Sequence, residues 1–327
     1  MNLLRKFNHL LRKFNHLLRK LETSRVSNLD QKMGGGNLCA FISNAWGSDD
    51  PTRFPGPQPV SIERRHFPLL KRQLYLVCEK TDGVRHLLAS TDEGVFLVNR
   101  AFSIEKINVR VAKDTLLDGE LVKTKAGKEG LHPDGKPAVY LLFMVYDAVR
   151  VKGESLIHKP LTERLEAARK VVKAIIKTAN APLEIRVKVM TDLKDFSSFP
   201  DLNSFEYETD GLVFTPVAEP IRVGTHETMF KWKPRERITI DFCIKNGHEL
   251  FVQDRGIPYK EAWLHLQNTR RDLPDGTIVE CGYGDLGWFV EKVRTDKTHA
   301  NNRRTYFRTI VNIRENIQLD EFITNFS

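Results

Sequence analysis

The hexapeptide Lys80–Arg85 (KTDGVR) sets an amine beside an acid, a glycine and a second cation. A lysine amine is a nucleophile only when uncharged, and nearby cations or removal from water favour that form. The apolar run Leu74–Cys78 predicts a strand, and Asp82-Gly83 predicts a hairpin turn into a second strand. An ordinary solvated hairpin would have the same composition, so the interpretation needs support from elsewhere in the chain.

Two carboxylate-containing blocks follow at the ends of predicted strands. Glu120 lies in Leu116–Val122 (LLDGELV), forty residues after Lys80. Asp210 lies in Phe205–Phe214 (FEYETDGLVF), ninety residues after Glu120. Asp-Gly is a common turn, so each block alone has a structural explanation.

Two cation-rich blocks complete the series. In Met229–Pro234 (MFKWKP), strand alternation would send Lys231 and Lys233 to one face and Trp232 to the other. Val293–Lys297 (VRTDK) repeats the mixture of charges. Any half-buried edge strand could have such a pattern, but five blocks in one chain are hard to attribute to coincidence.

In order and spacing, these blocks resemble the covalent nucleotidyltransferase superfamily, which contains mRNA capping guanylyltransferases and ATP-dependent DNA and RNA ligases. The resemblance spans about residues 54–301. Four features look like a capping guanylyltransferase: Pro55–Ser61 upstream, an arginine closing KTDGVR, KWKP as the fifth motif and RTDK as the sixth. A polynucleotide ligase and a catalytically degenerate module that binds RNA or a partner are the alternatives.

The resemblance implies that Lys80 attacks the α-phosphorus of GTP, holds GMP as a phosphoramidate and passes it to the 5′-diphosphate end of RNA, which forms the GpppN cap. Asp210 and Glu120 would organise Mg²⁺ or Mn²⁺. The residues expected to bind the nucleotide are Thr81, Arg85, Arg100, Glu120, Tyr146, Lys188, Lys231, Lys233, Arg294, Asp296 and Lys297. In-line displacement at phosphorus depends on alignment and charge neutralisation, which suits such a set of cations.

Two of these roles have structural alternatives. Tyr146 stands where the family usually has a phenylalanine that stacks on the purine, yet its apolar surroundings would also suit a core position. Lys188 resembles the lysine assigned to the guanine edge, but with Arg186 it would also suit a solvated strand face. Arg294 and Lys297 match the grip on the β- and γ-phosphates, with Asp296 orienting them.

Composition agrees with a polyanionic partner. The chain has 327 residues, a formal net charge of +9 and 51 Lys plus Arg against 42 Asp plus Glu. Its four cysteines lack paired spacing, which disfavours disulfides and zinc and favours a reducing intracellular compartment, either the nucleus or a cytoplasmic viral factory. No stretch approaches a membrane span. The RNA triphosphatase and cap methyltransferase would be separate chains, and the compact length looks like stand-alone enzymes of large DNA viruses, acting as monomers.

Pattern changes predict an α+β organisation in five parts. These are a basic amphipathic extension (1–32), a linker (33–54), a ligase-type, ATP-grasp-like nucleotidyltransferase domain (55–236), an OB-fold β-barrel lid (237–314) and a C-terminal helix (315–327) that could pack back on the catalytic domain. One helix is predicted at Lys159–Thr178 and another near Pro258–Thr269. The five predicted barrel strands end with Tyr306–Ile313.

The N-terminus repeats the heptapeptide LLRKFNH, at Leu3–His9 and again at Leu10–His16. Period seven gathers leucine and phenylalanine on one face with arginine and lysine opposite. The interpretations are a partner helix, an interfacial membrane helix, a transit peptide, or a gene-level duplication with little function.

Overall fold

The computed structural model describes residues 35–125, 141–177 and 183–327, so the N-terminal repeat lies outside the described residues. Among them, five α-helices are α1 Gly35–Trp46, α2 Phe67–Arg72, α3 Leu161–Lys173, α4 Arg303–Glu315 and α5 Leu319–Phe326. The strands of the first domain are β1 Gln58–Ser61, β2 Tyr75–Thr81, β3 Val84–Thr91, β4 Gly94–Asn99, β5 Ile104–Ile107, β6 Val109–Arg110, β7 Thr115–Lys123, β8 Leu141–Val151, β9 Glu154–Ser155, β10 Ile176–Lys177, β11 Leu183–Val187, β12 Thr191–Asp192, β13 Thr209–Pro216 and β14 Thr225–Trp232. Those of the second domain are β15 Thr239–Lys245, β16 Glu249–Asp254, β17 Ile257–Trp263, β18 Ile278–Gly284 and β19 Gly287–Val293.

The first domain is built on two sheets. One has the strand order β1-β14-β13-β2-β12, and the other has the order β11-β8-β7-β3-β4-β5 with β9 beside β8. One face of the larger sheet carries a core that includes Leu117 and Phe143. Helix α3, in which Leu165 is buried, packs on this face. This mixed α+β architecture is the one expected.

The chain crosses from one sheet to the other directly after Lys80. β2 pairs with β12 and β13, whereas β3 pairs with β4 and β7, so Asp82-Gly83 joins two sheets and the predicted hairpin is wrong. The crossing passes close to β7, because a Cβ on Gly83 would lie 2.6 Å from the Leu121 carbonyl oxygen. Lys80 therefore lies at a strand end where the two sheets meet.

The predicted linker at 33–54 is wrong over Gly35–Trp46, which forms helix α1. Leu38, Ile42 and Ala45 recur at helical spacing and are buried against the face of the larger sheet that carries Leu87 and Leu116, opposite the face covered by α3. The triple glycine and following prolines suggested a loop, but this apolar stripe decides the local structure.

The second domain has the strand order β17-β16-β15-β18-β19. A parallel bridge between Leu264 and Trp288 brings the ends of the two outer strands together. Its core includes Phe242, Leu250 and Trp288. This order, in which the first strand is central, is that of an OB-like sheet domain.

Two predictions for the second domain are wrong in the type of element: a predicted helix is a strand, and a predicted strand is a helix. The expected helix near Pro258–Thr269 is strand β17, because Arg255 and Gly256 take positive φ angles of 50° and 83° and reverse the chain directly before it. The expected strand at Tyr306–Ile313 is part of helix α4, which Asn302 caps. Helix α3 also ends earlier than predicted, at Lys173.

The C-terminal helix α5 returns to the first domain. Phe322 is fully buried in the core of the smaller sheet, with ring centroids 4.9 Å from Phe214 and 5.7 Å from Trp232. The Trp232 indole also donates to the Ile317 carbonyl at 2.8 Å, and Arg64 pairs with Glu321. The helix thus completes the core beneath the strand that precedes Lys233.

We expect Phe322→Ala to lower the free energy of unfolding by about 3–5 kcal/mol, because it empties a fully buried aromatic site. Urea unfolding of the whole chain measures this. Ile323→Ala in the same helix is the control, since Ile323 is 44% exposed and should cost below about 1 kcal/mol. Equal losses for the two variants would contradict the packing described.

Candidate active site

Lys80 lies in a cluster of charges at the end of β2. Its Nζ contacts Asp210 Oδ1 at 2.7 Å, and Lys233 Nζ contacts Asp210 Oδ2 at 2.5 Å. Burial alone would raise the pKa of Asp210, but the two ammonium groups hold it below its ordinary value. One carboxylate thus fixes two of the predicted cations.

Strand pairing explains why these three residues meet. Gly211 of β13 lies opposite Lys80 of β2, and the next residue of β13, Leu212, pairs with Trp232 of β14. Gly211 has a φ of +150°, and a Cβ there would lie 1.9 Å from the Trp232 carbonyl oxygen. Glycine is required because the neighbouring strand passes so close.

Lys231 belongs to the same cluster. Its pKa is lowered to about 8, first by burial and then by the positive charges of Lys80, Lys233 and Arg100. Within the described residues, its ammonium has no hydrogen-bond or ion-pair partner at contact distance. The site therefore holds more positive charge than its own carboxylates neutralise, which is what an anionic ligand requires.

A buried polar cluster lies behind Lys80. Lys188 donates to the Glu79 carbonyl at 2.8 Å and to Thr81 Oγ1 at 3.2 Å, and it pairs with the Glu79 carboxylate at 3.3 Å. Thr81 also donates to Glu120, and Tyr207 donates to Glu79. Burial favours loss of the Lys188 proton, but the surrounding negative groups keep its pKa above the ordinary value. Lys188 is thus buried, and the solvated-face alternative is wrong.

Arg85 is held on the opposite sheet. It makes a two-pronged contact with the fully buried Asp118, at 3.0 and 2.5 Å, and donates to the Pro57 carbonyl at 2.6 Å. The guanidinium lies 5.2 Å from the ring centre of Phe54 and 5.7 Å from that of Tyr146. Burial opposes its charge, but Asp118 raises the pKa of Arg85 above the ordinary value.

The Tyr146 ring is only half-buried, although its neighbours in β8 are buried. Its hydroxyl donates to Asp118 Oδ1 at 2.9 Å, and burial raises its pKa well above the ordinary value. Arg100 lies nearby, since its pKa is lowered by loss of solvent and then by the charge of Arg85. One ring edge is therefore fixed while part of the ring stays accessible.

The sixth-motif residues form a separate cluster. Arg294 contacts Asp241 at 2.7 Å and Asp296 at 2.7 Å, and Lys297 pairs with the same Asp241. Glu280 lies 3.3 Å from Arg294. The charged partners found for them in the part of the chain that is described all belong to the second domain, so this conformation does not bring them to Lys80.

The carboxylates of the first cluster suit a metal that arrives with phosphate. Across the described ranges, no group of three or more His, Cys, Asp or Glu could form a closed metal cage. Mg²⁺ and Mn²⁺ need only one or two protein carboxylates when phosphate oxygens complete their coordination. Glu120 lies within β7, beside Thr81, and not at the strand end expected for it. With Asp210, near the start of β13, it supplies oxygens of the right kind for such a site.

Several residues of the site were not singled out from the sequence. Asp118 and Glu120 alternate along β7, and this period of two could have identified Asp118 as a second inward carboxylate. Glu79, Tyr207 and Asp241 had no such signal, because their roles arise from contacts between distant strands.

Comparisons with known proteins identify the family of the chain. The family model for the mRNA capping enzyme catalytic domain matches residues 20–235, more than half of the chain, and the model for the capping enzyme C-terminal domain matches residues 221–323. The mRNA-capping enzyme subunit alpha of Schizosaccharomyces pombe is 28% identical over 84% of this chain and 80% of its own. That of Candida glabrata is 30% identical over 87% and 83%. A mycobacterial DNA ligase D structure with ATP and MES has a TM-score of 0.44 and 14% identity, covering 74% of this chain and 96% of its own.

The chain therefore belongs to the mRNA capping enzyme family. Its first domain is a nucleotidyltransferase domain and its second is OB-like. Within that class it is an mRNA guanylyltransferase, an enzyme that uses a nucleotide as substrate. No helix in the described ranges has the length and apolar character needed to cross a membrane.

We expect Lys231→Met to raise the free energy of unfolding at pH 7 by about 2 kcal/mol. The lysine pKa falls from 10.5 to about 8 on folding, which is worth at most about 3 kcal/mol before allowance for partial exposure. Below pH 8 both states are protonated and the folded protein carries the full penalty. Between pH 8 and 10.5 the folded lysine loses its proton, so the wild type should regain stability and the difference should vanish.

Urea unfolding of both proteins from pH 7 to 10.5 measures this difference. Lys170→Met is the control, because that side chain is 75% exposed and should give no pH-dependent difference. A stability gain that stays constant with pH would show that the Lys231 charge is not its source.

We expect Gly211→Ala to destabilise the chain by at least about 2 kcal/mol and to abolish nucleotide transfer, because its Cβ collides with the β14 backbone. Thermal unfolding and an activity assay measure the two effects. Gly224→Ala separates collision from backbone strain, since Gly224 has a φ of +80° with nothing within 4 Å. The idea fails if both alanine variants behave alike.

Proposed function

We propose that this chain transfers GMP from GTP to the 5′-diphosphate end of RNA through a covalent bond to Lys80. The observation that carries the proposal is the cluster at the sheet junction, where Lys80, Lys233 and Lys231 lie around the single carboxylate of Asp210. It combines a nucleophilic amine with fixed cations for a phosphate, and the family supplies the reaction class.

In the first step, Lys80 loses a proton to solvent and its neutral nitrogen attacks the α-phosphorus. The N–P bond forms, the bond to the bridging oxygen breaks, and pyrophosphate leaves with its electron pair. Lys231 and Lys233 neutralise charge that develops on the α-phosphate oxygens. Asp210 keeps the Lys80 and Lys233 nitrogens in place, so that attack and departure can be in line.

In the second step, a terminal phosphate oxygen of the RNA attacks the same phosphorus. The N–P bond breaks, the amine of Lys80 is regenerated after protonation, and the product carries a triphosphate bridge between guanosine and RNA. The cations used in the first step serve again, because the charge develops on the same oxygens.

We assign the nucleoside to the space between the two sheets. Tyr146 is partly exposed and is fixed by its hydrogen bond to Asp118, which supports a stacking role. Thr81 and Lys188 contact each other in the buried cluster behind Lys80, and we assign Lys188 to the guanine edge and Thr81 to the nucleotide beside it. Arg85 and Arg100 would bind the sugar and phosphate, and Glu120 the ribose or the metal.

Arg294 and Lys297 would grip the β- and γ-phosphates only after the second domain moves toward Lys80. In the present conformation both side chains pair with Asp241 of the second domain. Closure that completes a set of cations is a common gate in enzymes of this kind. Asp296 would orient Arg294 through the contact it already makes.

The proposal includes Mg²⁺ or Mn²⁺ held by Asp210 and Glu120, which would neutralise phosphate charge when bound. It also includes a separate RNA triphosphatase to supply the diphosphate end and a separate methyltransferase to modify the cap. We place the chain inside the cell, in the nucleus or a cytoplasmic viral factory, acting as a monomer.

Labelling with α-³²P-GTP and a divalent metal tests the covalent step. The label should stay on the protein in base and be lost in acid. Lys80→Arg should reduce labelling by at least about a thousandfold, because a guanidinium keeps the charge but is not a nucleophile. Lys170→Ala, on the exposed face of α3, should label like the wild type.

The nucleotide distinguishes the alternatives. Labelling from ATP in place of GTP would indicate ligase chemistry, and the absence of label from either would favour a degenerate binding module. Label retained on Lys80→Arg would remove Lys80 from the mechanism.

A further inference from the structure

Helix α4 of the second domain has an exposed surface that the guanylyltransferase chemistry does not use. Phe307 is 49% exposed, and Trp263 of the adjacent strand β17 is 56% exposed. Large aromatic side chains so exposed, and set among cations, indicate a binding surface. We call the set Trp263, Arg303, Arg304, Phe307 and Arg308 the α4 surface.

Cations and rings alternate on this surface. The Arg303 guanidinium lies 4.5 Å from the ring centre of Tyr259 and 5.3 Å from that of Phe307. Arg303 also pairs with Glu261 at 2.5 Å, which holds the helix against the middle of β17. Lys260 lies 5.6 Å from the ring centre of Trp263. The rings are thus fixed by their neighbours while their outer faces stay open.

The neighbouring arginines supply unneutralised charge. Arg304 is exposed and has no ion-pair partner among residues 35–125, 141–177 and 183–327. Arg308 lies one turn further on, and its only ion-pair partner in those ranges, Glu227 of the first domain, is 4.0 Å away. The surface therefore favours a polyanion over a protein partner that has few acidic residues.

The α4 surface adjoins a cavity whose lining includes two of the site cations, Lys231 and Lys233. Thr305, Thr309 and Asn312 of α4 also line this cavity, which has a volume of about 190 Å³ and lies between the domains. With 3.6 residues per turn, Arg304 and Arg308 follow these three around the helix, and Arg303 and Phe307 come next. A strand leaving the cavity would pass over the two arginines and reach the aromatic rings.

We propose that the α4 surface binds the single-stranded leader of the RNA substrate, whose 5′ end lies at Lys231 and Lys233. Stacking on Phe307 and Trp263 and phosphate contacts with Arg304 and Arg308 need no particular base sequence. This fits an enzyme whose substrates share an end and differ in sequence. The inference rests on the proposed function, since that function supplies an RNA with its end in the cavity.

The test uses 5′-diphosphate RNAs of two and of twenty nucleotides with the full chain. Phe307→Ala/Arg304→Ala should raise KM for the long RNA by at least about fivefold and leave KM for the short RNA unchanged. Formation of the enzyme–GMP intermediate from GTP should stay at the wild-type level. Trp263→Ala provides a second, independent variant with the same expected pattern.

The matched control is Ile176→Ala/Arg169→Ala, which removes one exposed apolar side chain and one arginine from the first domain. It should not change either KM. Equal effects of the α4 double variant on both RNAs, or none on the long RNA, would overturn the proposal. An unchanged KM for the long RNA is also the result expected if the surface binds a protein.

Equilibrium binding of the same RNAs, measured by fluorescence anisotropy, separates this inference from the proposed function. Loss of Arg304 should lower the slope of log Kd against log salt by about one for the long RNA. If the wild type bound long RNA through this surface but formed no GMP intermediate, the proposed function would fail and the surface would stand. If the GMP intermediate formed normally but the α4 substitutions left RNA binding unchanged, the proposed function would stand and the RNA-binding surface would be ruled out.

Discussion

The carboxylate of Asp210, held between the ammonium groups of Lys80 and Lys233, is the interaction on which the site depends. It joins the ends of β2, β13 and β14, and its position requires the glycine that follows it, because no side chain fits beneath the β14 backbone. Two cations share one anion, so the cluster keeps excess positive charge. Burial and then this excess of positive charge lower the pKa of Lys231 to about 8, and a bound phosphate would neutralise the excess.

The remainder of the first domain holds this cluster rigidly from two sides. Lys188, which follows β11 of the larger sheet, reaches across to Glu79 of the smaller sheet. Tyr207 donates to the same Glu79, and the three form a buried polar network next to the backbone of Lys80. On the larger sheet, Asp118 holds Arg85 by two hydrogen bonds. Buried networks in which each member has a partner fix geometry well, because breaking any contact leaves a charged group unsatisfied. The cleft between the sheets is therefore formed before substrate arrives.

The motif residues could be predicted from the sequence, but the residues that hold them in place could not. Lys80 and Asp210 could be found because turn signals place them near strand ends, and Glu120 because strand alternation marks it within β7. Glu79 and Asp241 could not, because their partners come from remote strands and local pattern does not encode such pairings. The errors in α4 and β17 have the same origin. Tyr306 and Ile313 suit a strand as well as a helix, and only the Asn302 cap and packing against Glu261 decide.

Helix α5 makes the first domain discontinuous along the chain. Phe322 fills the core beneath β14, yet the whole second domain lies between the two in sequence. During translation, Lys80 and the strands around it leave the ribosome long before the residue that completes their packing. The smaller sheet consequently cannot reach its full stability until the second domain has been synthesised, which couples the timing of activity to production of both domains.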